Sequence, residues 1–534
     1  MPTVGIGKTL FNSSVCYFED ADNIEVLLTE RLTRKKASGA WPSLALEKIR
    51  IKYDLTNSSI YENRDVEDPL NIELALNSRF PFFEYLKENK LDVFSRHFNK
   101  NINYCTHHLA HAHAAAFMSP YHKALILVID GAGSRAKAFN TSHAEYNLAK
   151  QNSFGEEACE ERTLYTFDSG RLVCVDKKFQ IFKKSKSHPQ HYFSTGLGSF
   201  YEKISEFIFN SKRSAGKVMG LAAFSEAENI TDVETYLENL DWSHAFTGKS
   251  KKDWETSEHF SEYTKAAATA QAYFEKDYIG YIKNMQAKFP EYKYLIITGG
   301  CALNCTSNMK LINLGIFESI YVPPFPGDES IGLGTAYVGY LKKNIWKLNS
   351  HETQHGYFGP KSSIPTANQV LSVFNSSEYE VIKPSSITKH TAQLLADGHV
   401  VAWFQGRSES GPRALGNRSI LCRPDKPGAK DYLNANIKFR ESFRPYGSSV
   451  TFEKAHQYFE IPEKFNNPYM SFAALVKPKY QKDLKEVTHH DGTSRMQTVR
   501  RSQNELFYEL INEFGNITDL YCVLNTSLNI MGQP

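Results

Sequence analysis

Residues 104–134 read YCTHHLAHAHAAAFMSPYHKALILVIDGAGS, and their reading decides the fold class. Thr106 to Phe117 is an alanine-rich helical stretch that stops at a Ser-Pro break. Ala124 to Ile129 is then a short, wholly apolar run, the pattern of a strand buried on both faces, and it ends at Asp130 and a glycine turn. Helix, buried strand and glycine turn in succession point to an α/β domain, in which the carboxyl end of such a strand faces the ligand crevice. On the helix, His107 and His111 are four residues apart and share a face, whereas His108 and His113 point elsewhere. Two imidazoles one turn apart can offer a metal two nitrogens, although an isolated H-x-x-x-H is more often a pair of exposed or hydrogen-bonded rings. Asp130 could complete a ligand set or hold Mg²⁺.

Working outward, Thr3 to Ile6 and Val15 to Phe18 read as a hairpin around the polar turn Gly7 to Ser14, and Ile24 to Leu28 as another strand. TERLTRKKASGAWP follows as a charged turn. Phe154 to Phe182 partly alternates and suggests antiparallel strands, Ser194 to Phe209 a helix, and Ala266 to Phe289 a long amphipathic helix. SAGKVMGLAAF puts Lys217 between glycines, either at a helix cap or in a phosphate loop. Tyr294 to Ile297 is a strand followed by TGGCALNCTSNMKL. Gly299 and Gly300 leave bare backbone where a nucleotide can lie close, and Asn304 and Asn308 serve an adenosine or cap the next helix. In YVPPFPGDESIGLGTAYVGYL, Gly327 and Asp328 occupy a Pro/Gly-bounded loop, which makes Asp328 a second carboxylate for metal or phosphate.

The later half turns on Gly406 to Val450, which holds nine cations, among them Arg413, Arg418, Lys438 and Arg444, set among Gly, Pro, Ser and Asn. Small residues let backbone N–H groups approach a phosphate while Arg forks grip its oxygens, so this stretch reads as a polyanion pocket rather than a solvated face. A helix ending at Gly398 and a strand over Val400 to Phe404 lead into it. HHDGTSRMQTV adds Arg495, and YCVLNTSLN adds Ser527 after a strand. His489 and His490 are expected to be solvent-exposed beside a turn. Lys342 to Ile364, with His351 and His355, reads as a linker.

A chain of 534 residues is too long for one core. Its formal charge of +3 gives no global field for nucleic acid or an acidic membrane. Eight scattered cysteines without a C-x-x-C favour reduced thiols and a cytoplasmic setting. MPTVGIGKTLFNSS lacks a leader pattern, no apolar run reaches membrane-spanning length, and no internal repeat is visible.

TERLTRKKASGAWP, HHLAHAHAA, VIDGAG, KVMGLAAF, GGCALN, PPFPGDES and the basic stretch occur in the order found in O-carbamoyltransferases. The chain resembles the nodulation-factor, cephem and tobramycin types over nearly its whole length. The resemblance implies an α/β and α+β chain: an N-terminal actin-like ATPase domain over 1–345, as in the tRNA threonylcarbamoyl-transfer enzymes, a linker over 346–380 and a C-terminal YrdC-like domain over 381–534. It implies ATP and carbamoyl phosphate as co-substrates, with Mg²⁺, and a small-molecule hydroxyl acceptor. It further implies that carbamoyl-adenylate forms in the second domain and that its carbamoyl group is transferred at a metal site in the first. The implied metal ligands are His107, His111, Asp130 and Asp328, holding Fe²⁺ or else Zn²⁺, Mn²⁺ or Mg²⁺. The implied phosphate and carbamoyl contacts are Arg413, Arg418, Lys438, Arg444, Arg495 and Ser527, and the nucleotide is expected near Lys217, Gly299, Gly300, Asn304 and Gly327. Neither nucleic acid nor membrane is expected as a partner, and a homodimer is left open. An actin-like kinase or ATPase and a nucleotide-binding regulatory protein are the alternatives. The chain departs from the family pattern twice. Phe11-Asn12 replaces the usual His-Asp of the first hairpin, and Ser330 stands where Gly is usual.

Overall fold

The computed structural model describes all residues except 1, 10–11, 37–41, 56–57, 64–101, 140–143, 154, 249, 348–355, 362–365, 374–378 and 531–532. Phe11, His351, His355, much of the linker and part of the TERLTRKKASGAWP turn therefore lie outside the described residues. The chain forms two units. The first comprises Met1–His355 with Phe439–Arg444 and Ile530–Pro534, and the second comprises Gly356–Lys438 with Pro445–Asn529.

The first unit holds two five-stranded sheets. One is built from β1 (Thr3–Lys8), β2 (Ser13–Phe18), β3 (Ile24–Leu28), β4 (Ser59–Glu62) and β5 (Ile102–Tyr104), in the order β3-β2-β1-β4-β5. Helix α1 (His107–Met118) follows. The other is built from β6 (Lys123–Ile129), β7 (Cys159–Asp168), β8 (Arg171–Gln180), β9 (Tyr294–Thr298) and β10 (Ser319–Tyr321), in the order β8-β7-β6-β9-β10. Between β8 and β9 run α2 (Leu197–Phe209), α3 (Ala215–Leu221) and α4 (Phe260–Lys288), and α5 (Cys305–Leu314) joins β9 to β10. Helix α6 (Ile331–Leu341) closes this half.

The two sheets share one topology. In each, the first three strands form an antiparallel meander, and the first strand also pairs parallel to the fourth, which pairs parallel to the fifth. The chain order of strands is duplicated although no sequence repeat marks it. The reason is that a fold fixes only which positions are buried, and many apolar residues satisfy that requirement. This duplicated α/β arrangement agrees with the actin-like expectation.

Helices α1 and α6 are the equivalent elements of the two halves, each following its fifth strand. They pack against each other at close range, since a Cβ added to Gly334 would lie 1.9 Å from the Ala110 carbonyl oxygen. Small residues along HAHAAA and GLGTA make that approach feasible. α1 is buried nearly all round, with Ala112, Ala115 and Ala116 set against Ile126 and Val128 of β6. On this helix the imidazoles can therefore face only partners supplied by the protein or a ligand.

The second unit is built on one six-stranded mixed sheet. Its strands are β11 (Val401–Phe404), β12 (Arg418–Cys422), β13 (Gly447–Thr451), β14 (Ala473–Leu475), β15 (Thr493–Val499) and β16 (Cys522–Ser527), in the order β11-β12-β16-β13-β15-β14. Helices α7 (Ile387–Ala396) and α8 (Glu505–Thr518) each bury one apolar stripe, with Leu395 of α7 and Phe507, Leu510, Ile511 and Phe514 of α8 fully inside. Among the described residues no helix is long and apolar enough to cross a membrane.

Candidate metal centre and basic cluster

Ligand-type side chains from both halves of the first unit meet where the N-termini of α1 and α6 approach the carboxyl end of β6. His107 Nε2 and His111 Nε2 are 3.2 Å apart, and each lies 3.2 Å from Asp130 Oδ2. Asp328 Oδ1 lies 3.5 Å from His107 Nε2 and 3.6 Å from His111 Nε2. Four donors bonded tetrahedrally at about 2.0–2.1 Å have edges of about 3.3–3.4 Å, so these separations suit one cation. Two neutral imidazoles and two carboxylates fit a borderline or hard divalent ion by charge and by donor type.

The protein orients each donor. Asp130 Oδ1 accepts from the N–H groups of Gly131 (2.7 Å) and Gly300 (3.3 Å), which turns Oδ2 toward the histidines. Gly299 is required here: its φ is +90°, and a Cβ on it would lie 2.2 Å from the Ile129 carbonyl oxygen. Thr9, beyond β1, donates to Asp328 Oδ2 at 2.6 Å. Ser330 donates to the Gly327 carbonyl at 2.9 Å, so its oxygen can accept from His111 Nδ1 at 3.2 Å. That arrangement leaves the His111 Nε2 lone pair for a ligand. The Ser330 departure thus adds a hydroxyl to the support of His111.

The start of α1 is held from beneath. Its N-cap Thr106 makes no side-chain cap. Instead Ser134 Oγ accepts from His107 N (2.9 Å), and Glu160 Oε2 accepts from His108 N (3.3 Å) and Ser134 N (2.9 Å). A carboxylate suits these orphan donors and the positive end of the helix dipole. Glu160 is fully buried, and the buried Lys177 ammonium pairs with both Glu160 and Glu145. Those two carboxylates hold the Lys177 pKa above its usual value despite burial.

Electrostatics agree with a cation site. Burial opposes protonation of His107, but its bonds to Asp130 and Asp328 outweigh that and raise its pKa well above the ordinary value. Asp130 and Asp328 are held low against burial by the two histidines, with Asp328 opposing this at Asp130. Glu202 of α2 faces the same turn, where a Cβ on Gly131 would meet its Oε1 at 2.7 Å. Burial, reinforced by the charge of Asp130, pushes Glu202 up to about 8. His108 is buried and bonded to Thr163 Oγ1 (2.8 Å), outside the tetrad.

The residues expected near a nucleotide have varied surroundings. Lys217 lies on α3, paired with Glu441 at 2.6 Å and over the Phe209 ring. Asn304 caps α5 through Ser307 N (3.1 Å) and bonds Gln271, while Asn308, within α5, bonds Tyr278 and the Ala302 carbonyl. Gly300 buttresses Asp130, and Gly327 accepts from Ser330. Arg444 belongs to the first unit and lies 3.6 Å from Glu441.

In the second unit, register gathers the basic set at one end of the sheet. β12 begins at Arg418, and the next residue, Ser419, pairs with Ser527 at the end of β16. Gly447, at the start of β13, pairs with Asn525 and lies beside Arg495 of β15. Lys438 Nζ reaches Ser527 O (2.6 Å), Ser527 Oγ (3.3 Å), Asn529 O (2.8 Å) and Asn529 Oδ1 (2.7 Å). Arg418 donates to the carbonyls of Gln405, Asn417 and Gly406 and stacks on Phe404 at 3.6 Å. Arg413 is half-buried in the loop entering β12.

That loop is organised by Glu409, which the sequence reading passed over. Its buried Oε1 accepts from Leu415 N (2.9 Å), Asn417 N (3.0 Å) and Arg418 N (3.2 Å). Gln497 and Asn525 donate to the Leu415 and Ala414 carbonyls from below. The only sequence signal for Glu409 was an acid among turn residues inside a cationic stretch. His489 corrects an expectation. It is half-buried rather than solvent-exposed, lies 3.1 Å from Thr493 Oγ1, and accepts from Arg495 N at 3.4 Å. Burial, with Arg495 adding to it, lowers its pKa to about 4.

A carbamoyltransferase N-terminus family model matches residues 71–337, and a carbamoyltransferase C-terminus model matches residues 392–534. The nodulation protein NolNO of Sinorhizobium fredii is 31% identical over 446 residues, covering 81% of this chain and 60% of its own length. The 3'-hydroxymethylcephem-O-carbamoyltransferase of Amycolatopsis lactamdurans is 32% identical over 326 residues, 60% of this chain and 59% of its own. An uncharacterized protein of Methanocaldococcus jannaschii is 26% identical over 541 residues, 98% of this chain and 92% of its own. Among solved structures, the activator of the 2-hydroxyisocaproyl-CoA dehydratase from Clostridium difficile with bound ADPNP has a TM-score of 0.34 at 13% identity, covering 64% of this chain and 95% of its own. Full-length HypF in its phosphate- and nucleotide-bound form has a TM-score of 0.32 at 12% identity, covering 65% of this chain and 47% of its own. The fold and site define a two-unit α/β chain with a candidate cation centre. It belongs to the carbamoyltransferase family.

Proposed function

We propose that the chain is an ATP-dependent O-carbamoyltransferase that makes carbamoyl-adenylate and transfers its carbamoyl group to a hydroxyl of a small-molecule acceptor. The observation that carries this is the coexistence of a tetrahedrally spaced His2Asp2 set with a basic set, Arg418 and Lys438 beside Ser527, at one end of a sheet in a chain matched by both carbamoyltransferase models.

In this reading the second unit, taken as YrdC-like, activates the carbamoyl group. Carbamoyl phosphate gives its phosphate to water, the resulting carbamate oxygen attacks the α-phosphorus of ATP, and pyrophosphate leaves. Both reactants are anions. Arg413, Arg418, Lys438 and Arg495 offset their repulsion and stabilise charge developing at phosphorus. An Arg fork can hold a carbonyl and a phosphate oxygen together, which a Lys cannot. Glu409 fixes the backbone that aims Arg418.

The first unit performs the transfer. The acceptor oxygen attacks the carbamoyl carbon, its proton passes to a base, and AMP leaves. His107, His111, Asp130 and Asp328 would hold a divalent ion, Fe²⁺ by family resemblance, which when bound supplies a Lewis acid for carbonyl or phosphate oxygen. Thr9, Gly300 and Ser330 keep those donors aimed. The deciding experiment supplies ATP, carbamoyl phosphate and a panel of alcohols. AMP release with a mass gain of one carbamoyl group on an acceptor supports the proposal. γ-Phosphate transfer to the acceptor, or no carbamoyl-phosphate-dependent AMP with any alcohol, refutes it.

A further inference from the structure

Apart from the tetrad, one other group of metal-ligand side chains converges among the described residues: His244, His259 and Glu262. His244 ends the short turn Trp242–His244, while His259 and Glu262 are three residues apart at the start of α4 and share a face. His244 Nδ1 lies 2.9 Å from Glu262 Oε2, and His259 Nδ1 lies 3.1 Å from Glu262 Oε1. The two imidazoles are stacked, 4.0 Å between centroids and 16° between planes. On the far side of each ring stands a further carboxylate. Asp241 Oδ2 is 3.5 Å from His244 Nε2, and Glu258 Oε1 is 3.7 Å from His259 Nε2.

This pattern is more than a polar patch. A metal-bound imidazole usually gives its other N–H to a carboxylate, which fixes the tautomer and raises ligand basicity. Here each ring has a carboxylate near its Nε2, at 3.5 Å from His244 and 3.7 Å from His259, and both turn Nδ1 toward one shared carboxylate. The three ligand atoms lie within 4.8 Å of one another at a partly exposed surface, and side-chain rotations that part the stacked rings would bring their in-plane lone pairs onto one ion.

We propose that His244, His259 and Glu262 form a second metal site, separate from the tetrad, that takes a borderline divalent transition ion such as Zn²⁺, with water filling the open positions. The site ties the 241–244 turn to the first turn of α4. Tyr263 already secures that junction by donating to the His244 carbonyl at 2.9 Å. Closing the excursion between residues 244 and 259 in this way removes chain entropy, so occupancy stabilises the segment.

The test is Zn²⁺ stoichiometry of the full chain, stripped of metal and followed by native mass spectrometry and equilibrium dialysis. Wild type is expected to bind two Zn²⁺. His244→Ala/His259→Ala should lose the weaker one and keep the tighter, while His111→Ala should do the reverse. Glu262→Gln, which removes a ligand charge, should weaken the second site at least about tenfold with circular dichroism unchanged. One equivalent in wild type, or two retained in His244→Ala/His259→Ala, overturns the proposal.

Discussion

The tetrad of the first unit and the basic cluster of the second solve opposite electrostatic problems. The tetrad sets imidazoles against carboxylates, four donors from α1, β6 and the turn before α6 held close enough to share one ion. The basic cluster gathers like charges and holds Arg418 and Lys438 through backbone carbonyls and amide oxygens. A carbonyl orients a cation without cancelling its charge, which suits the anionic substrate proposed for this cluster. The tetrad is assembled around one point, whereas the cluster is spread along a sheet end and depends on Glu409 to aim its loop.

Four perturbations would break or sharpen this comparison. The largest effect is expected from Arg418→Ala, which should cut carbamoyl-phosphate-dependent ATP–pyrophosphate exchange by about 10²–10³-fold, the scale for losing an aimed cation or donor. Metal content, measured by mass spectrometry, should not change, and Arg418→Lys should rescue little because it lacks the fork. Next, His111→Ala should lower metal affinity about 10²-fold and slow transfer accordingly while sparing most exchange. Loss of exchange in that variant would merge two sites that the fold keeps in separate units. Glu409→Gln should come third. It weakens acceptance of three buried N–H groups, costing about 1–3 kcal/mol in chemical denaturation and slowing exchange. Ser330→Ala should be mildest, lowering metal affinity about tenfold through a freed His111 ring.

His489 adds a pH arm to the basic side. Its pKa is near 6.5 unfolded and about 4 folded, so between those values the unfolded chain binds the extra proton. Stability should therefore fall as pH drops from 6.5 toward 4. His489→Gln should flatten part of that fall, as read from denaturation midpoints across the window.

Sequence exposed these features unevenly. His107 and His111 were legible because helical periodicity puts i and i+4 together, and Asp130 because a buried apolar run has an unambiguous end. The basic residues were legible as a stretch, but their grouping with Ser527 and Arg495 is a matter of strand register, which pairs residues a hundred positions apart. Glu409, Glu160 and Lys177 were not legible. A single buried charge has no period, and its importance comes from which backbone N–H groups lack partners. Asn304 shows the converse, since an amide after a Gly-Gly turn suits a nucleotide and a helix cap equally until Gln271 and Ser307 are in place.

The duplicated sheets carry one more consequence. Both imidazoles of the tetrad come from the first copy, on α1, and both carboxylates from the second, at the end of β6 and before α6. Between Met118 and Lys123 the donors divide cleanly by chemistry, nitrogen on one side and oxygen on the other. Neither half alone carries the full donor set, so the centre exists only where the two halves meet.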